Sequence, residues 1–183
     1  MSGFSKGLRK VQVALKWDPA PLGAPPHDLD LIAATYTADA PHGAPDYLVH
    51  FDSRSPDGTI NLHRESRTGQ GFGTDEALSL ELDRLSERYV RVVVGVAIQQ
   101  SRGSVGFAEI SNATAQVVSA DTAVRVSTGT TELVVHDLTT LGDATAATLA
   151  EFNRGPDGSW SYASVLRGYA TDPHDFTAFL GAA

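Results

Sequence analysis

An aspartate pair near the N-terminal third of the chain has the residue types and spacing to hold a cation. Asp28 and Asp30 alternate with two leucines in the segment HDLDL that begins at His27. On a β-strand, residues two apart point to the same side, so both carboxylates share one face while the leucines point to the core. Two such carboxylates repel each other unless a cation or solvent separates them. By itself, the pair also fits a solvated acidic strand edge.

A second acidic motif combines spaced glycines with carboxylates. Its members are Glu65, Gly69, Gly71, Gly73, Asp75 and Glu76. Calcium prefers about six to eight oxygen ligands, which include carboxylates and backbone carbonyls, and glycines let a loop bend so that its carbonyls turn inward. The alternative is a flexible hairpin loop followed by an acidic strand start. The EF-hand pattern is absent, and an all-oxygen composition favours a hard cation over zinc.

Other catalytic and metal-binding patterns are missing from the sequence. There are no cysteines, and none of the six histidines forms an H-x-H or H-x-x-x-H pair. His27 is the histidine of interest, since it adjoins the aspartate pair. No G-x-S-x-G elbow or phosphate-binding loop occurs, so we expect a protein that is not an enzyme. A hydrolase would need a site assembled from distant residues, with a perturbed carboxylate or histidine in a cleft.

Charge and hydropathy restrict the partners. The net charge is −8, from 14 basic and 22 acidic side chains, which disfavours nucleic acid and anionic membranes but suits cations. The segment Met1–Lys10 has no apolar core of a signal peptide. The strongest apolar run, Val92–Ile98, is far shorter than the roughly 20 residues of a spanning helix. We therefore expect a cytoplasmic protein without membrane insertion.

The segments that carry and surround these motifs are predicted to be β-strands. The pattern of apolar and polar residues predicts strands at Lys10–Trp17, Asp28–Thr37, Asp46–Asp52, a short segment after the turn at 55–58, Leu78–Leu82, Gly106–Val118, Thr122–Ser127 and Glu132–Asp137. Val90–Gln99, the most β-branched segment, is predicted to be a central strand. Short strands separated by regular turns predict a sandwich or barrel.

Two segments near the C-terminus are less regular. Ala144–Arg154 has the alanine content of a helix, but the turn at 156–158 and the aromatic residues after it favour a strand of a hairpin. Asp172–Leu180 is predicted to be a short helix, with Asp172 as its cap and Pro173 in its first turn.

Taken in order, these segments resemble the TerD family. The opening Lys6-Gly7 and Val11–Asp18, the aspartate pair, and the glycine-rich loop Thr68–Glu76 are similar to that family's motifs. The segment Gly106–Ala113 and a closing hairpin also resemble it; the hairpin pieces are Glu151–Arg154, Gly158–Trp160 and Arg167–Tyr169. The resemblance extends over about residues 6 to 170.

The resemblance implies a mostly β protein, a two-sheet antiparallel β-sandwich with few short helices, and a calcium site at loops on one side. It implies one TerD-like domain over residues 1–183, with a core of about 6–170 and a C-terminal tail or short helix over 171–183. It further implies a non-enzymatic role in tellurite resistance and bacterial stress response, with protein partners in a stress-response complex. The implied calcium ligands are Asp28, Asp30, Asp75 and Glu76, with Glu65 weaker and the backbones of Gly69, Gly71 and Gly73 shaping the loop.

The loop also departs from the family pattern. Arg64-Glu65-Ser66 stands where the family carries Gly-Asp-Asn, Thr74 replaces an aspartate, and Gln70 and Phe72 replace acidic residues. Because calcium affinity falls with lost ligand charge, we predict one calcium site rather than two. The alternative is a metal-free or weakly metal-binding interaction module, in which the altered loop docks a partner protein.

Overall fold

The computed structural model describes residues 7–64, 68–69, 73–101, 103–120 and 131–182. Within these residues, ten strands form two five-stranded antiparallel sheets. The strands are β1 Lys10–Lys16, β2 Asp28–Thr37, β3 Tyr47–Val49, β4 Ile60–Arg64, β5 Glu76–Glu81, β6 Tyr89–Gln99, β7 Thr114–Ser119, β8 Thr131–Asp137, β9 Ala146–Arg154 and β10 Trp160–Tyr169. One sheet has the order β4-β5-β1-β7-β8 and the other β10-β9-β6-β2-β3. The predicted two-sheet sandwich is confirmed.

Period-two alternation explains how the strands build the core. In β1, Val11, Val13 and Leu15 are buried while the residues between them are partly exposed. The opposite sheet differs, because the central strand β6 is buried on both of its faces. Its residues Val92 and Val94 face the other sheet, whereas Val93 belongs to a second cluster on the outer face. A strand buried on two sides needs a continuous apolar run, which is why β6 was visible as a central strand.

The C-terminal helix α1, Pro173–Phe179, covers that outer face. Asp172 caps it, since its side chain accepts a hydrogen bond from the Asp175 N–H at 2.9 Å, and Pro173 occupies the first turn. A Cβ atom on Gly95 of β6 would lie 2.8 Å from the Phe176 ring and 2.9 Å from Leu180. The missing side chain therefore lets α1 rest directly on the sheet. The predicted helix is confirmed, and no helix among the described residues is long and apolar enough to cross a membrane.

The alanine-rich segment is a strand, as predicted. Ala146 of β9 packs in the outer cluster beneath α1, and Ala147 and Ala150 pack in the core between the sheets. Both layers lie close to the strand, so small side chains reflect tight packing on two faces rather than helix propensity. The turn that follows is closed by Asp157, whose Oδ1 accepts the Ser159 N–H at 3.0 Å.

Two strand predictions were wrong in extent. The predicted strand Gly106–Val118 begins instead with a 3₁₀ turn at Phe107–Glu109, and β7 starts only at Thr114. The turn forms because Glu109 Oε1 accepts the Gly106 N–H at 3.0 Å, which closes a cap.

The predicted strand Asp46–Asp52 shortens to β3, because His50 and Ser53 exchange backbone hydrogen bonds of 3.0 and 3.1 Å and turn the chain. The predicted strand Thr122–Ser127 lies outside the described residues.

Candidate metal site

Asp75 lies where strand β5 begins beside the end of β1. Its own N–H donates to the Leu15 carbonyl at 2.9 Å, and its Oδ2 accepts the Trp17 N–H at 2.9 Å. The side chain therefore continues the β1–β5 ladder beyond the last strand pair, Leu15 with Glu76. Asp75 is only 4% exposed, so its carboxylate is held in place by the backbone at the end of the sandwich.

Glu76 connects this sheet to the opposite one. Its side chain is fully buried, and Oε2 accepts the Leu31 N–H of β2 at 2.7 Å. Strand β3 pairs only with Ala33–Thr35 of β2, so the start of β2 extends past its neighbour. Glu76 therefore supplies the acceptor for a backbone N–H at a point where β3 does not pair with β2. Such charge-assisted hydrogen bonds are stronger than those between neutral groups.

Trp17 ties the glycine loop to both acidic motifs. Gly69 has φ +73°, and a Cβ atom there would lie 2.7 Å from the Trp17 carbonyl oxygen and 2.8 Å from its indole ring. The indole Nε1 donates to the carbonyl of His27 at 3.1 Å, directly before Asp28. Gly69 is thus required for a close approach as well as for a left-handed backbone. Gly73, with φ +99°, has open space around it.

The aspartate pair lies on β2 with the predicted alternation. Leu29 and Leu31 are fully buried in the core between the sheets, which leaves the aspartates on the outer face. Asp30 is 2% exposed and its Oδ2 accepts a hydrogen bond from the Gln99 side-chain amide at 2.7 Å. The two motifs approach each other through Leu31, the neighbour of Asp30 that Glu76 contacts.

The oxygen chemistry of this region fits calcium, but the described side chains alone do not complete a calcium shell. No group of three or more His, Asp or Glu side chains in the described ranges is arranged to hold a metal ion. Asp75 and Glu76 each use an oxygen on a backbone N–H, although an ionised carboxylate can accept about four hydrogen bonds or ligand contacts. The predicted ligand Glu65 and the loop residue Gly71 lie outside the described residues. They would have to complete the shell with solvent.

Two contributors to this region were not singled out by the sequence. Trp17 is buried at 1% exposure, and its backbone and indole N–H groups anchor Asp75 and His27. Gln99 was read only as the end of an apolar strand. A signal for Gln99 was its position: a polar residue ending a buried run beside a paired strand can meet a polar partner on that strand. The Nδ1 atom of His27 is buried without a hydrogen-bond partner in the part of the chain that the structure describes.

A histidine and a serine meet at the opposite edge of the sandwich. His136 Nε2 and Ser164 Oγ are 3.2 Å apart, between β8 and β10. Burial lowers the pKa of His136, and a hydrogen bond to the Leu149 backbone partly opposes that shift. The imidazole is therefore neutral at physiological pH, which is typical of a buried, hydrogen-bonded histidine.

Comparison with known proteins gives one consistent family. The TerD domain family model matches residues 1–177. The tellurium resistance protein TerD of an Alcaligenes species is 28% identical over 173 residues, which cover 93% of this chain and 86% of that protein. TerD of Serratia marcescens is 27% identical over the same shares of both chains. A crystal structure of a homologue of the telluride resistance protein TerD from Streptomyces coelicolor A3(2) is 50% identical, with a TM-score of 0.88 over 97% of this chain and 99% of that one.

Proposed function

Because this chain belongs to the TerD domain family, we propose that it is a non-enzymatic, cytoplasmic protein of tellurite resistance and stress response that binds one calcium ion weakly. The ion would lie at the start of β5, with Asp75 and Glu76 as its fixed ligands. Asp28, Asp30 and Glu65 would be the further protein ligands that the family resemblance supplies. The metal would be structural or regulatory, and would act together with protein partners.

The observation that carries this proposal is a pair of consecutive buried carboxylates at the junction of the two sheets. Asp75 and Glu76 are 4% and 0% exposed, and each is oriented by a backbone N–H: that of Trp17, just after β1, and that of Leu31 in β2. A site with fixed ligands loses less entropy when an ion binds. Bound calcium would offset the repulsion between neighbouring carboxylates and would link β5 more firmly to β2.

A weak affinity is expected because the loop has few charges. Gln70, Phe72 and Thr74 offer no carboxylate, and each lost ligand charge lowers affinity for calcium. We therefore expect calcium to bind less tightly here than to a loop that keeps those carboxylates.

A second candidate is a metal-free interaction module of the same fold. One observation favours it: the described part of the chain has no ready cluster of three metal-binding side chains. In that case, the backbone hydrogen bonds of Asp75 and Glu76 are their whole function, and the loop serves a protein partner.

Calorimetric titration of chelator-treated protein with calcium decides between the two. The Asp75→Asn variant keeps an oxygen for the Trp17 N–H but removes a charged ligand, so we expect at least about tenfold weaker binding. Asp157→Asn, the same change in an exposed turn, serves as the matched control and should bind as the wild type does. An absence of heat, with an unchanged melting temperature at millimolar calcium, would favour the interaction module. Two tightly bound ions per chain would contradict the single weak site.

The resistance role has a separate cellular test. Deleting the gene that encodes this chain from its own host is expected to lower the tellurite concentration that still allows growth. Expression of the wild-type chain should restore growth. Partial restoration by Asp75→Asn, at equal protein level, would connect resistance to the metal site. Unchanged growth of the deletion strain across tellurite concentrations would contradict the role.

A further inference from the structure

A cleft of about 460 Å³ opens between the N-terminal end of α1 and strands β2 and β3. Its volume is in the range of about 300–1,000 Å³ that is usual for small-molecule sites. Its lining includes Asp30, Ile32, Leu48, Phe51, Asp172 and Thr177. The cleft is on the outer face of the sheet, away from the core between the sheets.

The walls of the cleft are apolar and include an exposed aromatic ring. Ile32 is buried at 3% exposure, and Leu48 packs partly buried beside it. Phe51 is 57% exposed, and the His50 ring packs against it edge-on at 5.5 Å between centroids. A large apolar side chain held open to solvent at a cleft is a surface on which a ligand ring or alkyl group gains hydrophobic contact.

A buried carboxylate is part of the same cleft. Asp30 is 2% exposed, and the Gln99 amide holds its Oδ2 at 2.7 Å. At the rim, Asp172 accepts the Asp175 N–H at 2.9 Å, and this backbone hydrogen bond lowers the pKa of the Asp172 carboxyl. Two carboxylates therefore face a cleft whose described lining contains no lysine or arginine, and His50 and His174 are its other ionisable residues.

This combination of charge and shape defines the ligand class. An anion would meet two carboxylates, and a neutral apolar molecule would gain nothing from Asp30. A cation gains most, because a charge-assisted hydrogen bond in a partly dry cleft is stronger than one in water. We propose that the cleft binds a small organic cation, a primary amine that carries one aromatic or branched aliphatic group. Its ammonium group contacts Asp30, and its apolar group packs on Ile32 and Phe51.

The test compares 2-phenylethylamine with 2-phenylethanol, which has the same shape without the charge. Binding to the full chain is measured by ligand-detected NMR and calorimetry, with a chelator present throughout. We expect the amine to bind about tenfold more tightly than the alcohol, or better. Asp30→Asn is expected to remove that preference. Asp157→Asn, the same change in an exposed turn that does not line the cleft, is the matched control and should leave the preference intact.

A second variant separates loss of the site from loss of the fold. Thr177→Trp on α1 is expected to fill the cleft and abolish amine binding, while circular dichroism and the melting temperature stay close to the wild type. Equal binding of amine and alcohol, amine binding that survives Asp30→Asn, or no binding at millimolar amine would each overturn the proposal. Asp30 is also a proposed calcium ligand, so the chelator keeps the ion out of this test, while the calcium titration tests Asp75 and leaves Asp30 unchanged.

Discussion

Replacement of Arg91 by alanine is expected to lower the free energy of unfolding by about 3–5 kcal/mol, because it removes a buried charge that is paired with a partly buried carboxylate and hydrogen-bonded to two carbonyls. Arg91 is 2% exposed on β6. Its Nη2 donates to Glu151 Oε2 at 3.1 Å, and its Nη1 donates to the carbonyls of Pro41 at 2.9 Å and Gly181 at 2.6 Å. The guanidinium also lies over the Tyr36 ring at 5.2 Å.

The position of these partners explains why the effect should extend to the C-terminus. Gly181 follows α1, and a Cβ atom on it would overlap the Tyr36 ring, so the chain crosses that ring closely. Without the guanidinium, the buried Gly181 carbonyl, the partly buried Pro41 carbonyl and the partly buried Glu151 carboxylate lose their donor, each at a cost of up to about 1–3 kcal/mol. Hydrogen exchange of α1 should therefore accelerate more than exchange of β1 or β7 in the other sheet.

Chemical denaturation of the wild type, Arg91→Ala and Arg88→Ala measures the difference. Arg88 makes an exposed ion pair with Asp46 at 2.9 Å, and such pairs contribute about 1 kcal/mol or less. Equal losses in the two variants would contradict the assigned role of Arg91.

The pH dependence gives a second readout. The hydrogen bond from Arg91 lowers the pKa of Glu151, so its stabilisation is present at neutral pH and is lost as pH falls through that lowered pKa. Arg91→Ala should show a smaller loss over the same range.

Strands with local signals were predictable. The alternation in β1 indicates a strand buried on one face, and the continuous apolar run in β6 indicates a strand buried on both faces. Each pattern is contained within a few consecutive residues. The 3₁₀ turn at Phe107–Glu109 was missed, because the same residues also alternate, and only the Glu109 side chain folding back on Gly106 distinguishes turn from strand. Arg91 could not be recognised, since two of its partners are backbone carbonyls, which every residue possesses.

The candidate site also contains residues that the sequence revealed and contacts that it did not. Asp75 and Glu76 were visible because their residue types and spacing are unusual. Their partners depend on register: Glu76 reaches the Leu31 N–H 45 positions away, through the pairing of β1 with β5 and the short length of β3. The cleft beside Asp30 requires α1 to lie on the sheet, and no pattern within β2 indicates that contact.

Variants of Glu76 can show whether its carboxylate stabilises the fold, binds a metal ion, or does both. In the presence of a chelator, Glu76→Ala is expected to lower the free energy of unfolding by about 2–4 kcal/mol, because it leaves a cavity and an unsatisfied Leu31 N–H in the interior. Glu76→Gln keeps the shape and an oxygen acceptor, so this variant should lose only about 1 kcal/mol of unfolding free energy. Glu81→Ala on the same strand removes surface ion pairs with Lys10 and Arg84 and should cost about 1 kcal/mol or less.

Added calcium should raise the free energy of unfolding further, and this gain should depend only on residues that bind the ion. At a tenfold excess over its dissociation constant, calcium should stabilise the wild type by about 1.4 kcal/mol through mass action. Glu76→Gln should lose most of that gain although its fold is intact, whereas Glu81→Ala should keep it. If Glu76→Gln is stabilised by calcium as much as the wild type, Glu76 is not a ligand, and its carboxylate serves only to bind the edge of β2. If Glu76→Ala loses no stability in the presence of a chelator, the hydrogen bond to Leu31 contributes nothing to the fold, and selection for the buried carboxylate must come from metal binding or a partner.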